Sequence, residues 1–166
     1  LKQLENAEES FRQTILLNPN YSGAHYNLGI TLKDLRKIDE AEDSFRNATI
    51  INPDHAEAYN NLGNVLATQD KLEEAEDSLR NAIVIDPDYA EAHNNLGNVM
   101  ATQDRFGDAE ASYRKAIAFK PDYSQAYSNL GINFKKLGKL EDAEASYRKA
   151  IALDQKYTQA HCNLCL

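Results

Sequence analysis

An all-α solenoid of stacked antiparallel helix pairs is the fold class this sequence predicts, on three observations. The stretch Asn60-Asn61-Leu62-Gly63-Asn64 returns as Asn94-Asn95-Leu96-Gly97-Asn98, with weaker copies at Tyr26-Asn27-Leu28-Gly29-Ile30 and Ser128-Asn129-Leu130-Gly131-Ile132 and a decayed one at Cys162-Asn163-Leu164-Cys165-Leu166, always 34 residues apart. A fixed period in the range of about 20–50 residues signals stacked repeats rather than a chain folded around one central core. Each period holds two apolar segments at helical spacing. Each unit then closes on a proline (Pro19, Pro53, Pro87, Pro121), which cannot continue a helix and pushes the preceding residue out of helical angles.

Aligned on the glycines, the chain is a single array over 1–166. A partial repeat spans 1–21, four full repeats span 22–55, 56–89, 90–123 and 124–157, and a second partial repeat spans 158–166. In the second full repeat the first helix is expected over about Ala56–Gln69, with Asp54 and Glu57 offering a capping box at its start; Asp88 and Glu91 repeat the device. The second helix is expected over about Leu72–Ile85, with Asp70 and Glu73 as its capping box and Leu72, Ala75, Leu79, Ala82, Ile83 and Ile85 on its apolar side.

Glycine inside a helix costs about 1 kcal/mol relative to alanine, so its return at Gly29, Gly63, Gly97 and Gly131 calls for a packing reason. A missing Cβ lets the second helix approach closely, with Ala41, Ala75, Ala109 and Ala143 as its flat surface and Phe45, Leu79, Tyr113 and Tyr147 as its bulky partners; Phe11 stands at that place in the leading fragment. Glu8–Arg12, Glu42–Arg46, Glu76–Arg80, Glu110–Arg114 and Glu144–Arg148 are four apart on the second helices. Such pairs stabilise a helix by about 0.2–0.5 kcal/mol each, and they read as a solvated outer face.

The 166 residues are 42% hydrophobic and 27% charged, the range of folded water-exposed chains. No apolar run approaches the roughly 18 residues a membrane span requires, so no membrane partner is expected. A net charge of −8 argues against nucleic acid, whose binding rests on cationic contacts. Cys162 and Cys165 form a lone C-x-x-C with no second pair to complete a zinc site and no βαβ pattern for redox chemistry, and Cys165 occupies the repeat's glycine position. His25, His93 and His161 share a core-facing position with Tyr59 and Tyr127, and His55 takes the turn position of Tyr21, Tyr89, Tyr123 and Tyr157. Helices packed about 8–10 Å apart cannot bring such side chains to one metal, so they read as packed aromatics. No Ser/His/Asp set, phosphate loop or converging carboxylate pair stands out, so no catalytic residue, metal or cofactor is expected. Met100 is the only methionine and the sequence opens in mid-repeat, which suggests a segment of a longer protein; the compartment is not fixed, with the cytoplasm favoured.

These residues resemble the tetratricopeptide repeat, a 34-residue helix–turn–helix with Leu-Gly in its first helix, then Ala, an aromatic and Ala in its second, then Pro. Leu62, Gly63, Ala75, Leu79, Ala82 and Pro87 fill those places in one repeat, and Leu130, Gly131, Ala143, Tyr147 and Ala150 in another, with Gln155 replacing Pro. The resemblance implies a right-handed superhelical solenoid and a protein-binding scaffold whose first helices line a concave groove. It does not extend to the basic clamp of arrays that grip chaperone tails, because the matching positions hold Tyr26, Asn60, Asn94 and Ser128, and only Lys33, Lys135 and Lys136 are basic nearby. The chain is similar instead to the arrays of O-linked N-acetylglucosamine transferases, with an asparagine before the repeat's leucine at Asn27, Asn61, Asn95, Asn129 and Asn163. Many bacterial tetratricopeptide scaffold proteins are similar too.

Stacking lines these asparagines into a stripe, together with Asn64 and Asn98. A carboxamide offers both a donor and an acceptor, so a ladder of them matches the backbone of an extended peptide. Asparagine is a poor interior helix former, and propensity alone does not explain its recurrence. Tyr26, Lys33, Asn60 and Asn94 are expected beside the ladder, with Glu57 and Glu91 selecting a cationic group toward one end and Lys135 and Lys136 an anionic one toward the other. The expected partner is a protein or peptide. Two other readings are a substrate-recognition arm of a larger glycosyltransferase-type enzyme and a self-assembling array, since Leu4, Phe11, Ile15 and Leu164 lack a stacked neighbour and predict end-to-end packing.

Overall fold

The computed structural model describes residues 2–154, and all its regular structure there is helical. The helices are α1 (Lys2–Leu17), α2 (Ser22–Asp34), α3 (Ile38–Ile51), α4 (Ala56–Thr68), α5 (Leu72–Ile85), α6 (Ala90–Thr102), α7 (Phe106–Phe119), α8 (Ser124–Lys136) and α9 (Leu140–Leu153). The chain forms two compact units divided after Pro87. In the first, α2 pairs with α3 and α4 with α5, while α1 packs on α2, α3 on α4, and α2 touches α4. In the second, α6 pairs with α7 and α8 with α9, α7 packs on α8, and α6 touches α8. Within each unit, links of three or four residues force each successive helix to reverse direction.

The second helices are amphipathic. In α3 the buried set is Ala41, Glu42, Ser44, Phe45, Ala48 and Thr49, in α5 Ala75, Ser78, Leu79 and Ala82, and α7 and α9 keep the same register. The first helices are buried over most of their circumference, because α4 is covered by α3, α5 and α2, and α8 by α7, α9 and α6. α1 buries none of its residues, and Leu16 and Leu17 stand exposed at its end.

The recurrent glycines sit where a second helix presses closest. A Cβ on Gly63 would lie 2.6 Å from Leu79 Cγ and 3.1 Å from the Ala75 carbonyl oxygen. On Gly29, Gly97 and Gly131 it would come within 2.7, 2.6 and 2.5 Å of the rings of Phe45, Tyr113 and Tyr147. Ala41, Ala75, Ala109 and Ala143 complete the contact and are buried.

The capping boxes do not form. Helices α4, α6 and α5 take His55, Tyr89 and Lys71 as N-caps, and none makes a side-chain capping bond. Asp54 and Asp88 lie one residue too early, and the Asp54 N–H donates to Asn52 Oδ1 at 3.2 Å. Asp70 has another task. The turn from first to second helix contains one left-handed residue in each repeat: Arg36 (φ 63), Asp70 (φ 62), Asp104 (φ 59) and Gly138 (φ 74). Around it, the N–H of Lys37 donates to the Leu32 carbonyl at 2.9 Å and that of Arg36 to the Lys33 carbonyl at 3.0 Å; the same two bonds recur at Lys71 and Asp70, Arg105 and Asp104, and Lys139 and Gly138. This is a Schellman closure, in which glycine is the unstrained choice. Only the fourth repeat carries it.

The Glu–Arg pairs form, but four of the five are not a solvated face. Glu8 and Glu42 accept from Arg12 at 2.9 Å and Arg46 at 2.8 Å on their own helices, and each also accepts from a lysine of the next repeat, Lys37 and Lys71, both at 2.8 Å. Glu110 joins Arg114 at 2.7 Å and Lys139 at 3.0 Å, and Glu76 joins Arg80 at 2.7 Å. Side-chain exposure is 12%, 10%, 15% and 12% for Glu8, Glu42, Glu76 and Glu110. Glu144 alone stays half-open beside Arg148. Glu8, Glu42 and Glu110 thus tie neighbouring repeats together. Lys37 holds Glu8 below its ordinary value. Burial pushes Glu42 up, but hydrogen bonds from Lys71 and Arg46 outweigh it and hold that carboxyl low as well.

Four measurements test this packing. Gly63→Ala should lose about 1–3 kcal/mol in urea denaturation despite alanine's better helix propensity, since Leu79 Cγ and a backbone oxygen cannot yield cheaply. Gly107→Ala, with nothing within 4 Å of the new Cβ, should be neutral or stabilising by up to about 1 kcal/mol. Arg36→Gly should raise the Tm, relieving a left-handed residue at a cost of roughly 1–2 kcal/mol less glycine's greater freedom in the unfolded chain. Because the folded pKa values of Glu8 and Glu42 are depressed, the stability they confer is complete above the ordinary value of 4.5 and is lost as pH falls through the folded values. The urea midpoint should therefore drop on acidification below about pH 4.5, and less steeply in a Glu8→Gln/Glu42→Gln variant.

Candidate functional site

Some of the predicted residues are joined by hydrogen bonds into a polar cluster in each unit. In the first, Asn61 on α4 is half-buried. Its Nδ2 donates to the Glu57 carbonyl at 3.0 Å and to the Tyr26 hydroxyl at 3.3 Å, and its Oδ1 accepts from Lys33 Nζ at 3.2 Å. Tyr26, Lys33 and Asn61 thus join α2 to α4. The Tyr26 ring packs against His55 with centroids 4.6 Å apart and against Phe45 at 6.0 Å. Its phenol is raised by burial, with the Glu57 charge adding and the Asn61 bond opposing. Glu57 is exposed and has His55 Nε2 at 3.7 Å. Asn64 is half-buried and Asn27 exposed.

In the second unit, Asn129 on α8 donates from Nδ2 to Asn94 Oδ1 and to Asn98 Oδ1, both at 3.0 Å, joining α8 to α6. Tyr113 donates its hydroxyl to Asn98 Oδ1 at 2.9 Å, and Asn94 Nδ2 donates to Asn95 Oδ1 at 3.4 Å. Burial pushes the Tyr113 phenol strongly up, so its proton stays on. Lys135 and Lys136 are exposed at the end of α8.

Three expectations are corrected. The sequence places Asn60 and Asn94 on the open face, but they are 6% and 0% exposed, and Ser128 at the same position is buried too, so that position does not face the open strip. Glu91 does not offer a free negative charge; it accepts from Lys120 Nζ at 2.7 Å. The ladder is also not a row of open donor–acceptor pairs. Both Nδ2 hydrogens of Asn61 and of Asn129 are committed within the protein, so the oxygens carry what capacity remains.

His25 and His93 are packed as expected. His25 Nε2 lies 2.9 Å from the Pro19 carbonyl, and His93 stacks on Phe119 at 5.4 Å. His161, Asn163, Cys162 and Cys165 lie outside the described residues. Among the described residues no group of three or more His, Cys, Asp or Glu could hold a metal ion, and no helix is long and apolar enough to cross a membrane.

Sequence reading assigns Tyr113 only a core role and does not single out Asn133 at all. Asn133 is 2% exposed and donates from Nδ2 to the Phe106 carbonyl at 2.9 Å. The period itself marks it, because the same position holds Thr31, Val65 and Val99.

Helix pairs closed over a glycine, recurring at a fixed step, define a helical-repeat protein with hydrogen-bonding side chains along its first helices. The tetratricopeptide repeat profile matches residues 26–90, 71–124 and 124–157, and the chain belongs to that family. No curated protein sequence matches it. Among solved structures, MamA superposes with a TM-score of 0.84 at 26% identity over 94% of this chain and 91% of that one. TTC0263, a thermophilic tetratricopeptide protein of Thermus thermophilus, gives 0.81 at 25% identity over 99% and 90%. YrrB, described as a tetratricopeptide protein with an unusual peptide-binding site, gives 0.81 at 21% over 99% and 85%.

Proposed function

We propose that the chain is a non-enzymatic interaction scaffold that holds an extended peptide or partner segment on its first-helix faces through asparagine carboxamides. The observation that carries this reading is the state of Asn61 and Asn129. Each is fixed by two bonds from its own N–H groups and is only half-buried, so its oxygen is a rigid acceptor; that of Asn61 already takes Lys33 and keeps one lone pair. An acceptor held still in advance loses little side-chain entropy on binding. Rigid oxygens at a repeated spacing suit backbone N–H groups, which every peptide supplies, so the ladder gives affinity with little dependence on sequence. The family supports the reading: a solved tetratricopeptide protein of the same fold, YrrB, is described by its peptide-binding site.

Peptides selected from a display library on the wild-type chain provide the test. Replacing Asn61, Asn95 and Asn129 together with alanine should weaken their binding about tenfold or more while the helical circular dichroism holds, a loss on the scale of two or three net hydrogen bonds. Unchanged affinity in that folded variant rejects the ladder.

A further inference from the structure

The second unit contains a cavity of about 280 Å³ walled by α6, α7 and α8. Its lining is not the generic repeat surface. Asn133 lies in it nearly fully buried, with its Nδ2 spent on the Phe106 carbonyl and its Oδ1 without any hydrogen-bond partner. A buried acceptor left unmade is costly, and the fold does not require one here, because Val65 and Val99 fill the same position at 1% and 2% exposure. Asn98 and Asn129 also line the cavity. The Asn98 oxygen is occupied by Tyr113 and Asn129, which leaves its amide N–H groups to give; the Asn129 N–H groups are both used, which leaves its oxygen to receive. Lys136 adds a cationic donor, and Phe106 and Ile132 add apolar wall.

We propose that this cavity is a subsite for a primary carboxamide, the side chain of a glutamine or asparagine in the bound peptide; the proposal rests on the peptide-binding reading and names its selectivity. Two acceptors, Asn129 Oδ1 and Asn133 Oδ1, match an amide NH2, and two donors, Asn98 Nδ2 and Lys136 Nζ, match an amide oxygen. A carboxylate would set its charge among two carbonyl oxygens. An ammonium would meet Lys136 and the Asn98 N–H groups. A hydrocarbon would leave the buried Asn133 oxygen still unpaired. A primary carboxamide, neutral with two N–H donors and an acceptor oxygen, can pair both acceptors and both donors at once, which a hydroxyl with its single O–H cannot, and the methylenes of glutamine suit the apolar wall.

The test uses short extended peptides with one position varied through Gln, Asn, Glu, Lys and Leu, measured against the whole chain. Gln or Asn should bind about tenfold more tightly than the other three. Asn133→Val, which installs the residue two other repeats carry there, should abolish that preference while thermal melting confirms the fold. Lys136→Glu, at an exposed position, should shift preference toward Lys. A preference for Glu over Gln, or a Gln preference unchanged in both variants, overturns the subsite. Peptides that bind through Asn61, Asn95 and Asn129 but show no carboxamide preference overturn the subsite alone, whereas failure of every peptide to bind overturns the peptide-binding reading with it.

Discussion

The absence of a single side-chain carbon at Gly29, Gly63, Gly97 and Gly131 sets how closely each first helix meets its second. Phe45, Leu79, Tyr113 and Tyr147 lie so near these backbones that any Cβ would sit at 2.5–2.7 Å from the nearest atom. The glycine sacrifices about 1 kcal/mol of helix propensity, and the close approach recovers it through dispersion contacts along two helices. Because the opposing side chain is a ring or a branched leucine, the pair locks in one register, and the alanines at 41, 75, 109 and 143 fit only in that register. Everything else in a repeat is placed relative to this contact.

One consequence is that little of a first helix remains free. Covered by its own partner, by the preceding second helix and by a neighbouring first helix, α4 leaves open mainly the strip through Glu57, Asn61, Asn64 and Thr68. In α8 the corresponding strip runs through Gln125, Asn129, Ile132 and Lys136. What the helix presents is therefore confined to about one residue per turn, and the asparagine among these residues leans on the preceding first helix. Asn61 reaches Tyr26 and Lys33 across this gap, and Asn129 reaches Asn94 and Asn98. The asparagines consequently hold the stack together as well as presenting their oxygens.

The period made the helices, their pairing and the glycine contact legible, because each was stated four times over in the sequence. Signals with two meanings were lost. Asp70 three residues before Glu73 spells a helix start, yet the same aspartate tolerates left-handed angles, and the turn needed such a residue at that place in every repeat, as Arg36 and Gly138 show. Glutamates four before arginines spell an exposed face, yet Lys37, Lys71 and Lys139 stand 29 residues after Glu8, Glu42 and Glu110 and draw those carboxylates inward. Asn60 and Asn61 are adjacent and look alike in sequence, but one helical step of about 100° separates a position between layers from one on the open strip. Which of two neighbouring carboxamides faces outward depends on how many helices surround the one that carries them, and that number belongs to the stack.

Charge gives the open strips their character. The chain carries a net charge of −8, but much of its charge is neutralised inside the fold. Glu91 is held by Lys120, Lys33 is turned to Asn61, and the glutamates of the second helices are bracketed by Arg and Lys. Between the exposed charges of Glu57 and Lys136, the strips present neutral carboxamides fixed by intramolecular bonds. Long-range attraction to a charged partner is screened within about 10 Å at ordinary ionic strength, whereas oriented amides act only at contact and are indifferent to salt. On the proposed reading, a surface of that kind would discriminate partners by where their donors and acceptors fall along an extended backbone, and the proposed carboxamide subsite beside Asn129 would continue the same logic from main chain to side chain.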